Sequence, residues 1–213
     1  KAKPFVKWVG GKSQLIEQLE ALLPADFDSW ENVTYIEPFV GGGAMLFHML
    51  QKYKNIRTAV INDINPDLTT CYRTVRDNPD ELVNSLKEIQ KEYYSIKSKD
   101  EKCQFFLLMR EEFNKKNLSD IENTTLFFFL NRTCFNGLIR YNSFGEFNTS
   151  FHLNRNGIHP DKLDKIIDEW SGLFNNKNVE IFLRDYSEVT PKFGDFIYFD
   201  PPYFDKGKQL YLN

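Results

Sequence analysis

Residues 196–203 read Phe-Ile-Tyr-Phe-Asp-Pro-Pro-Tyr. The apolar run predicts a buried strand, which sets Asp200 at its carboxyl end, where open α/β sheets carry their chemistry. Pro201 and Pro202 fix two backbone angles and remove two N–H donors, leaving the carbonyls of Asp200 and Pro201 to accept from a ligand. With the Asp200 carboxylate they form a cluster of acceptors, and Tyr203 adds an aromatic face. An exocyclic amine on a planar nucleobase offers two donors and a ring, and it suits that set. The alternative is a turn that merely ends the strand, which leaves Tyr203 without a part.

A second candidate lies at residues 34–47. Thr34-Tyr35-Ile36 is a short β-prone run that enters Glu37-Pro38-Phe39-Val40-Gly41-Gly42-Gly43, and a helix leaves at Ala44. Glycines placed there let a nucleoside cofactor approach the backbone near a helix N-terminus. Asp63 follows Gly41 by 22 residues and closes the next predicted strand, the place for an acid on ribose hydroxyls. The pair points to a nucleoside cofactor without telling a dinucleotide from S-adenosylmethionine. Taken singly, a tight connection and a helix cap account for each.

These groups need a sheet and helices to hold them. The chain has 213 residues, 41% of them hydrophobic, which suits one globular domain with a full core and a smaller appended lobe. Leu15, Ile16, Leu19, Leu22 and Leu23 recur at helical spacing after Gly10-Gly11-Lys12, and Pro24 ends that pattern. Thr58–Asp63 reads as a buried strand and Asn65-Pro66-Asp67 as the opening of a helix, which completes a βαβ unit. Residues 67–130 read mostly as helices, with Pro79 at an N-terminus. Residues 131–160 lack a long period and read as an ordered functional loop or hairpin rather than core. A helix over 161–174 and strands at Val179–Leu183 and Phe196–Phe199 complete an α/β pattern.

A formal net charge of −3, taken alone, argues against a nucleic-acid partner. The charge is uneven, however: within 131–160, Arg132, Arg140 and Arg155 face Glu146 alone, among asparagines and aromatics. That composition suits phosphates and bases, and equally a polar loop with solvated arginines. No run of eighteen apolar residues occurs and no signal-like core follows Lys1-Ala2-Lys3-Pro4, so a cytoplasmic protein without a membrane partner is expected. Cys71, Cys103 and Cys134 show no CxxC spacing, and His48, His152 and His159 form no HExxH pair. Neither a disulfide frame nor a metal is expected.

Asp200-Pro201-Pro202-Tyr203 together with the Glu37–Gly43 turn strongly resembles the amino-methyltransferases that use S-adenosylmethionine. The order of motifs narrows the resemblance: FVKWVGGK over 5–12, the glycine turn, INDINPDL over 61–68, LNRTCFNGLIRYNSFGEFN over 130–148, and FDPPY over 199–203. In that order they are similar to the Dam family of DNA adenine-N6 methyltransferases, the alpha-ordered group. Each motif is modest, the ordered set is specific, and it covers nearly the whole chain. The resemblance implies a Rossmann-like class I methyltransferase fold with an inserted helical DNA-recognition lobe. Residues 1–66 and 176–213 would form the S-adenosylmethionine-binding catalytic domain. Residues 67–175 would form the lobe, with a DNA-contacting loop at about 131–160.

By position, the resemblance implies that Trp8 and Lys12 belong to the N-terminal cofactor motif, Lys12 pairing with the methionine carboxylate. Glu37, Phe39 and Gly41 match the glycine-turn motif, Asp63 the ribose site, and Asp200 also reaches the cofactor. Asp185 and Tyr186 match the place of the cofactor's adenine ring, although Asp185 could equally start a helix. Asn136, Leu138 and Arg140 would meet DNA around the target base, with Arg132 and Phe135 in the same surface. An arginine fork fits guanine O6 and N7, so Arg140 is the candidate reader. The alternative packs the loop through Phe135 and Leu138 and pairs Arg140 with Glu146.

The implied activity is site-specific methylation of adenine N6 in duplex DNA, leaving S-adenosylhomocysteine. Asp200 and the Pro201 carbonyl would accept the two N6 hydrogens of a flipped base and Tyr203 would stack on it, without metal or covalent nucleophile. Members continue past Asp-Pro-Pro-Tyr with strands that complete the sheet, whereas this chain ends at Asn213, ten residues after Tyr203, so those strands are expected to be missing. Residues 149–155 depart from the family's proline- and glycine-bearing segment, so the target sequence does not carry over with the resemblance; GATC is the best single guess. The alternatives are an amino-methyltransferase acting on RNA or a protein amide, which usually carries Asn before Pro-Pro-Tyr, and an inactive truncated DNA-binding form. Duplex DNA is the expected partner of a monomer, acting alone or beside a cognate restriction endonuclease.

Overall fold

The computed structural model describes residues 2–8, 10–202, 204–205 and 208–209, the last four as backbone. The expected stacking residue Tyr203 lies outside the described residues. Val33–Glu37 (β1) is buried at four of its five positions, and Ile56–Asp63 (β2) pairs with it in parallel from Val33↔Ile56 to Glu37↔Ile61. Such strands are covered on both faces and so read as near-continuous apolar runs. Val179–Leu183 (β3) lies parallel outside β2, ending at Asp63↔Leu183, and Phe196–Ile197 (β4) lies parallel on the other side of β1. The order β3-β2-β1-β4 sends the chain leftward and rightward from β1, which creates a switch point at the carboxyl ends of β1 and β4. The arrangement is Rossmann-like.

The expected strand at 196–199 is shorter than its apolar run, although the Tyr198 N–H still donates to the Ile36 carbonyl at 2.9 Å. The chain then turns out of the sheet at Asp200. Phe204–Asp205 (β5) and Lys208–Gln209 (β6) pair antiparallel beyond it.

Ile16–Glu20 (α1) is one turn and a fraction, not the helix to residue 23 that five apolar positions predicted. Leu15 and Leu22 are exposed, and only Leu19 and Leu23 of the C-terminal set pack on the core, so little burial supports a longer helix. Ala44–Lys52 (α2) leaves the glycine turn, and Pro66–Asp77 (α3) is capped by the Asn65 side chain, which accepts from Leu68 N–H at 2.9 Å. Pro79–Ser95 (α4) and Lys99–Asn114 (α5) follow, then Asp120–Thr133 (α6), which opens on a capping box of Ser119 and Glu122. Leu163–Asn176 (α7) closes the helical set.

Residues 124–131 of α6 are buried without interruption, because α3, α4 and α5 surround that helix. In turn α3 also packs on β2, β3 and α7, so the helices of 67–175 and the sheet share one apolar core. Residues 131–160 contribute to it as well: Cys134 and Phe147 are buried, and bridges join Cys134 to Phe151 and Tyr141 to Phe147. That corrects the expectation of a loop outside the core; single buried side chains spaced by polar ones carry no period that a sequence scan detects.

Candidate active site

At the carboxyl ends of the parallel strands lies a cavity of about 1140 Å³. A pocket for one small molecule takes roughly 300–1,000 Å³, so this one has room for a cofactor and more. Its walls bring together Trp8, Lys12, Glu37, Phe39, Gly41, Asp63, Asp185, Tyr186, Asp200 and Pro201, every described residue expected to serve cofactor or catalysis.

The turn after β1 explains its own glycines. Gly41 has φ +49°, and a Cβ there or on Gly42 would come within 2.9 Å of Trp8. The indole therefore lies directly on the turn, which Tyr72 steadies by donating its hydroxyl to the Gly41 carbonyl at 3.0 Å. At the end of β2, Asp63 accepts the Gly41 N–H at 3.0 Å through Oδ2 and the Asn65 N–H at 2.9 Å through Oδ1. Burial raises its pKa, and the N–H donors of Asn65, Gly41 and Ile64 oppose that rise. Each oxygen keeps acceptor capacity, as a ribose diol requires. Phe39 lies against Tyr186, centroids 5.1 Å apart, and edge-on to Phe199 at 5.2 Å, an aromatic wall suited to flat rings. Asp185 caps the 3₁₀ turn Tyr186–Glu188 through the Ser187 N–H at 2.9 Å, as the helix-start reading expected, and it also lines the cavity. The donors and walls present thus fit a nucleoside cofactor.

Asn62 escaped the sequence reading. Its side chain donates to the carbonyls of Pro38 at 3.1 Å and Arg184 at 3.0 Å and accepts the Arg184 N–H at 3.2 Å, while its own carbonyl takes the Val40 N–H. This buried amide ties together the chain leaving β1, β2 and β3. A polar residue inside a strand, beside a candidate acid, was the available signal. Arg184 was also missed; its guanidinium covers the Phe182 ring at 3.9 Å, and it lines the cavity.

Asp200 and Lys12 form an ion pair of 2.8 Å, and Lys12 also donates to the Gly10 carbonyl at 3.1 Å. The resemblance implied a cofactor carboxylate as partner of Lys12; here the lysine reaches the acid of the Asp-Pro-Pro turn. Beneath them Glu37 is buried, accepts the Tyr35 hydroxyl at 2.8 Å and is pushed up to about 8 by burial, with further contributions from Asp200 and Asp63 against hydrogen bonds from Tyr35 and the Leu46 N–H.

The residues expected to meet DNA divide. Leu138 and Arg140 line the cavity, and Phe135 and Asn136 are exposed on the adjacent 3₁₀ turn Phe135–Gly137, with Asn136 at φ 54°. Arg132 does not join them: its guanidinium donates to the Phe5 carbonyl at 2.7 Å, and burial, then the neighbouring Arg155, lowers its pKa. Arg155 in turn donates to the carbonyls of Arg132 and Asn131, closing the C-terminus of α6. Two of the three arginines therefore serve the fold. Arg140 bonds Asn148, Nε to Oδ1 at 2.7 Å, rather than Glu146, the partner in the alternative reading, which holds Asn142. Tyr141, next in sequence, donates to Asp67 at 2.7 Å and so moors this hairpin to the first turn of α3.

Among the described residues no group of three or more His, Cys, Asp or Glu could hold a metal ion, and no helix is long and apolar enough to cross a membrane.

Residues 8–211 match the family described as D12 class N6 adenine-specific DNA methyltransferase. The chain is 40% identical to the type II methyltransferase M.MjaIII of Methanocaldococcus jannaschii over 94% of its own length and 69% of that protein's. It is 34% identical to the type II methyltransferase M1.LlaDCHI of Lactococcus lactis subsp. cremoris, covering 94% of this chain and 66% of the relative. With the DNA adenine methylase of Haemophilus influenzae it shares 31% identity over 95% of this chain and 64% of the relative. The chain thus spans about two thirds of the length of these relatives.

Proposed function

Since the chain belongs to the D12 class of N6 adenine-specific DNA methyltransferases, we propose that it methylates N6 of an adenine turned out of duplex DNA, with S-adenosylmethionine as donor. The observation that carries this reading is the meeting of Asp200 and Pro201 with the glycine turn and Asp63 in one cavity larger than a single cofactor needs. S-Adenosylmethionine would supply a methyl group on a positively charged sulfur.

The work of the protein is then positioning. Asp63 takes the ribose hydroxyls, and the wall of Phe39 and Tyr186 with Asp185 takes the adenine of the cofactor. Lys12, held at 2.8 Å from Asp200, keeps that carboxylate oriented as an acceptor. Asp200 and the Pro201 carbonyl accept the two N6 hydrogens of the target base, which turns the nitrogen lone pair toward the donor and stabilises positive charge as it develops on nitrogen. Tyr203 stacks on the base by the family resemblance. Leu138 and Arg140 face the duplex beside the cavity, Arg140 reading guanine, with GATC as target and a monomer as the acting form. The protein acts in the cytoplasm, either within a restriction-modification pair or in housekeeping methylation.

The test is transfer of labelled methyl from S-adenosylmethionine to unmethylated DNA by the chain and its Asp200→Ala variant, with product nucleosides separated by mass spectrometry. N6-methyladenine that vanishes in the variant is expected. Label found instead in RNA or protein, or S-adenosylhomocysteine bound without any transfer, would overturn the DNA methyltransferase reading in favour of another acceptor or an inactive DNA-binding form.

A further inference from the structure

We propose that Glu37 is the group by which this site distinguishes the charged methyl donor from its uncharged product, ionised beside the sulfonium and protonated beside the thioether. The proposal rests on the methyltransferase reading above and goes beyond it. S-Adenosylmethionine and S-adenosylhomocysteine share their nucleoside and amino-acid parts, so contacts through Asp63 or the wall of Phe39, Tyr186 and Asp185 favour both alike. They differ by one methyl group and one positive charge, so a group that responds to that charge can tell them apart.

The four acids on the cavity wall differ in their surroundings. Asp200 is paired with Lys12, Asp63 holds two backbone N–H groups, and Asp185 is exposed and caps a turn. Glu37 differs: it is only 3% exposed, and its partners are the Tyr35 hydroxyl and the Leu46 N–H at the start of α2. The other ionisable groups facing it are Asp63 at the end of β2, Tyr72 of α3, and Asp200 beyond β4, with Tyr198 of that segment acting on Tyr35. Arg140 and Arg184 line the same cavity. Burial and the two aspartates favour the neutral acid at pH 7.

Glu37 ends β1, and Asp200 follows closely on β4, the strand paired with β1, so both acids line the cavity at the same end of the sheet; a methyl delivered to a nitrogen held by Asp200 brings the sulfonium to that end. A unit positive charge in a low-dielectric pocket favours the carboxylate, so donor binding expels a proton. In transfer the C–S bond breaks with its electron pair left on sulfur, the N–C bond forms and N6 then gives its extra proton to solvent. The positive charge is then gone from sulfur and Glu37 takes a proton up, which removes an attraction and favours release of the product. The preference for donor over product should therefore rise with pH toward about 8, by at most about tenfold per pH unit, and level off above it.

Calorimetric titration of each ligand into the chain at pH 7, in two buffers of different ionisation enthalpy, counts the protons. Donor binding should release close to one proton more than product binding, and the Glu37→Gln variant should abolish that difference. Protons lost from the ligands' own amines persist in the variant and subtract out. In the variant the donor-to-product affinity ratio should also lose its pH dependence. Equal proton counts for both ligands in the unmodified chain would overturn the proposal whether or not the variant folds, and so would an unchanged ratio in the variant. Failure of both ligands to bind would instead sink the methyltransferase reading on which the proposal stands.

Discussion

Asp200 and Glu37 are carboxyl groups in one cavity with opposite assignments, and their surroundings set the difference. Lys12 stands at 2.8 Å from Asp200, whereas Glu37 has a phenol hydroxyl and a backbone N–H. Replacing Asp200 by Asn keeps the shape but turns one acceptor into a donor, which repels an N6 hydrogen. Single-turnover methyl transfer should fall by at least about 10²-fold while S-adenosylhomocysteine affinity holds. For Glu37 the sign follows from its raised folded-state value of about 8. The unfolded chain loses this proton near the ordinary carboxylate value, the folded chain only near 8. The stability contributed by the neutral acid is thus complete at low pH and is lost as pH rises through about 8. Thermal melts of the ligand-free chain should therefore show Glu37→Gln close to the unmodified protein at pH 5 and more stable at pH 9; the reverse order would contradict the buried neutral acid.

At the scale of elements, the site depends on side chains that tie strand ends and helix starts together. Asp67, in the first turn of α3, receives both Tyr141 at 2.7 Å and Lys116 at 3.0 Å, four residues after Asp63 of the cavity wall. Tyr141→Phe should cost about 1.5–3 kcal/mol, the range for a hydrogen bond to a charged group, and should weaken DNA binding more than S-adenosylhomocysteine binding, since it frees the hairpin of Arg140. Affinity titrations with each ligand check that split. On the opposite side, Glu20 joins α1 to α2 and the following chain through Lys52, His48 and Tyr53. Burial works against ionisation there, but the Lys52 and Tyr53 bonds prevail and lower its pKa to about 2. The stability it supplies is present above about pH 4.5 and is lost as pH falls toward 2; Glu20→Gln should be less stable by about 1 kcal/mol at pH 6 and indistinguishable at pH 2 in denaturant titrations. The sequence disclosed the glycine turn, Asp63 and Asp-Pro-Pro because each is a local pattern with one mechanism. Asn62, Tyr141 and the Lys12–Asp200 pair were hidden, since their partners lie 24 to 188 residues away and no local spacing announces them.

Across the whole molecule the question is how the helical block of residues 67–175, expected as an inserted lobe, joins the sheet. Phe5 argues for one shared core. Its ring meets Phe47 of α2, Tyr72 of α3, Phe128 of α6 and Trp170 and Phe174 of α7, with centroids 4.8 to 6.3 Å apart. The same N-terminal segment is pinned by Asn131, which bonds both Lys7 N–H and carbonyl, by Arg132 on the Phe5 carbonyl, and by Trp170 on the Lys3 carbonyl. Residues of the lobe thereby fix the strand of chain that lays Trp8 on the glycine turn. Helical periodicity made the lobe visible in the sequence as a block, but it could not show that the block and the sheet close over the same phenylalanine. Phe5→Ala should cost about 3–5 kcal/mol through the cavity it leaves, and it should loosen S-adenosylhomocysteine as well, because Trp8 loses its anchor. Unfolding in denaturant should be one transition, coincident by far-ultraviolet circular dichroism and tryptophan fluorescence. Two separated transitions, with Phe5→Ala shifting only one, would mean that the lobe folds on its own and that the shared core contributes no cooperativity between it and the sheet.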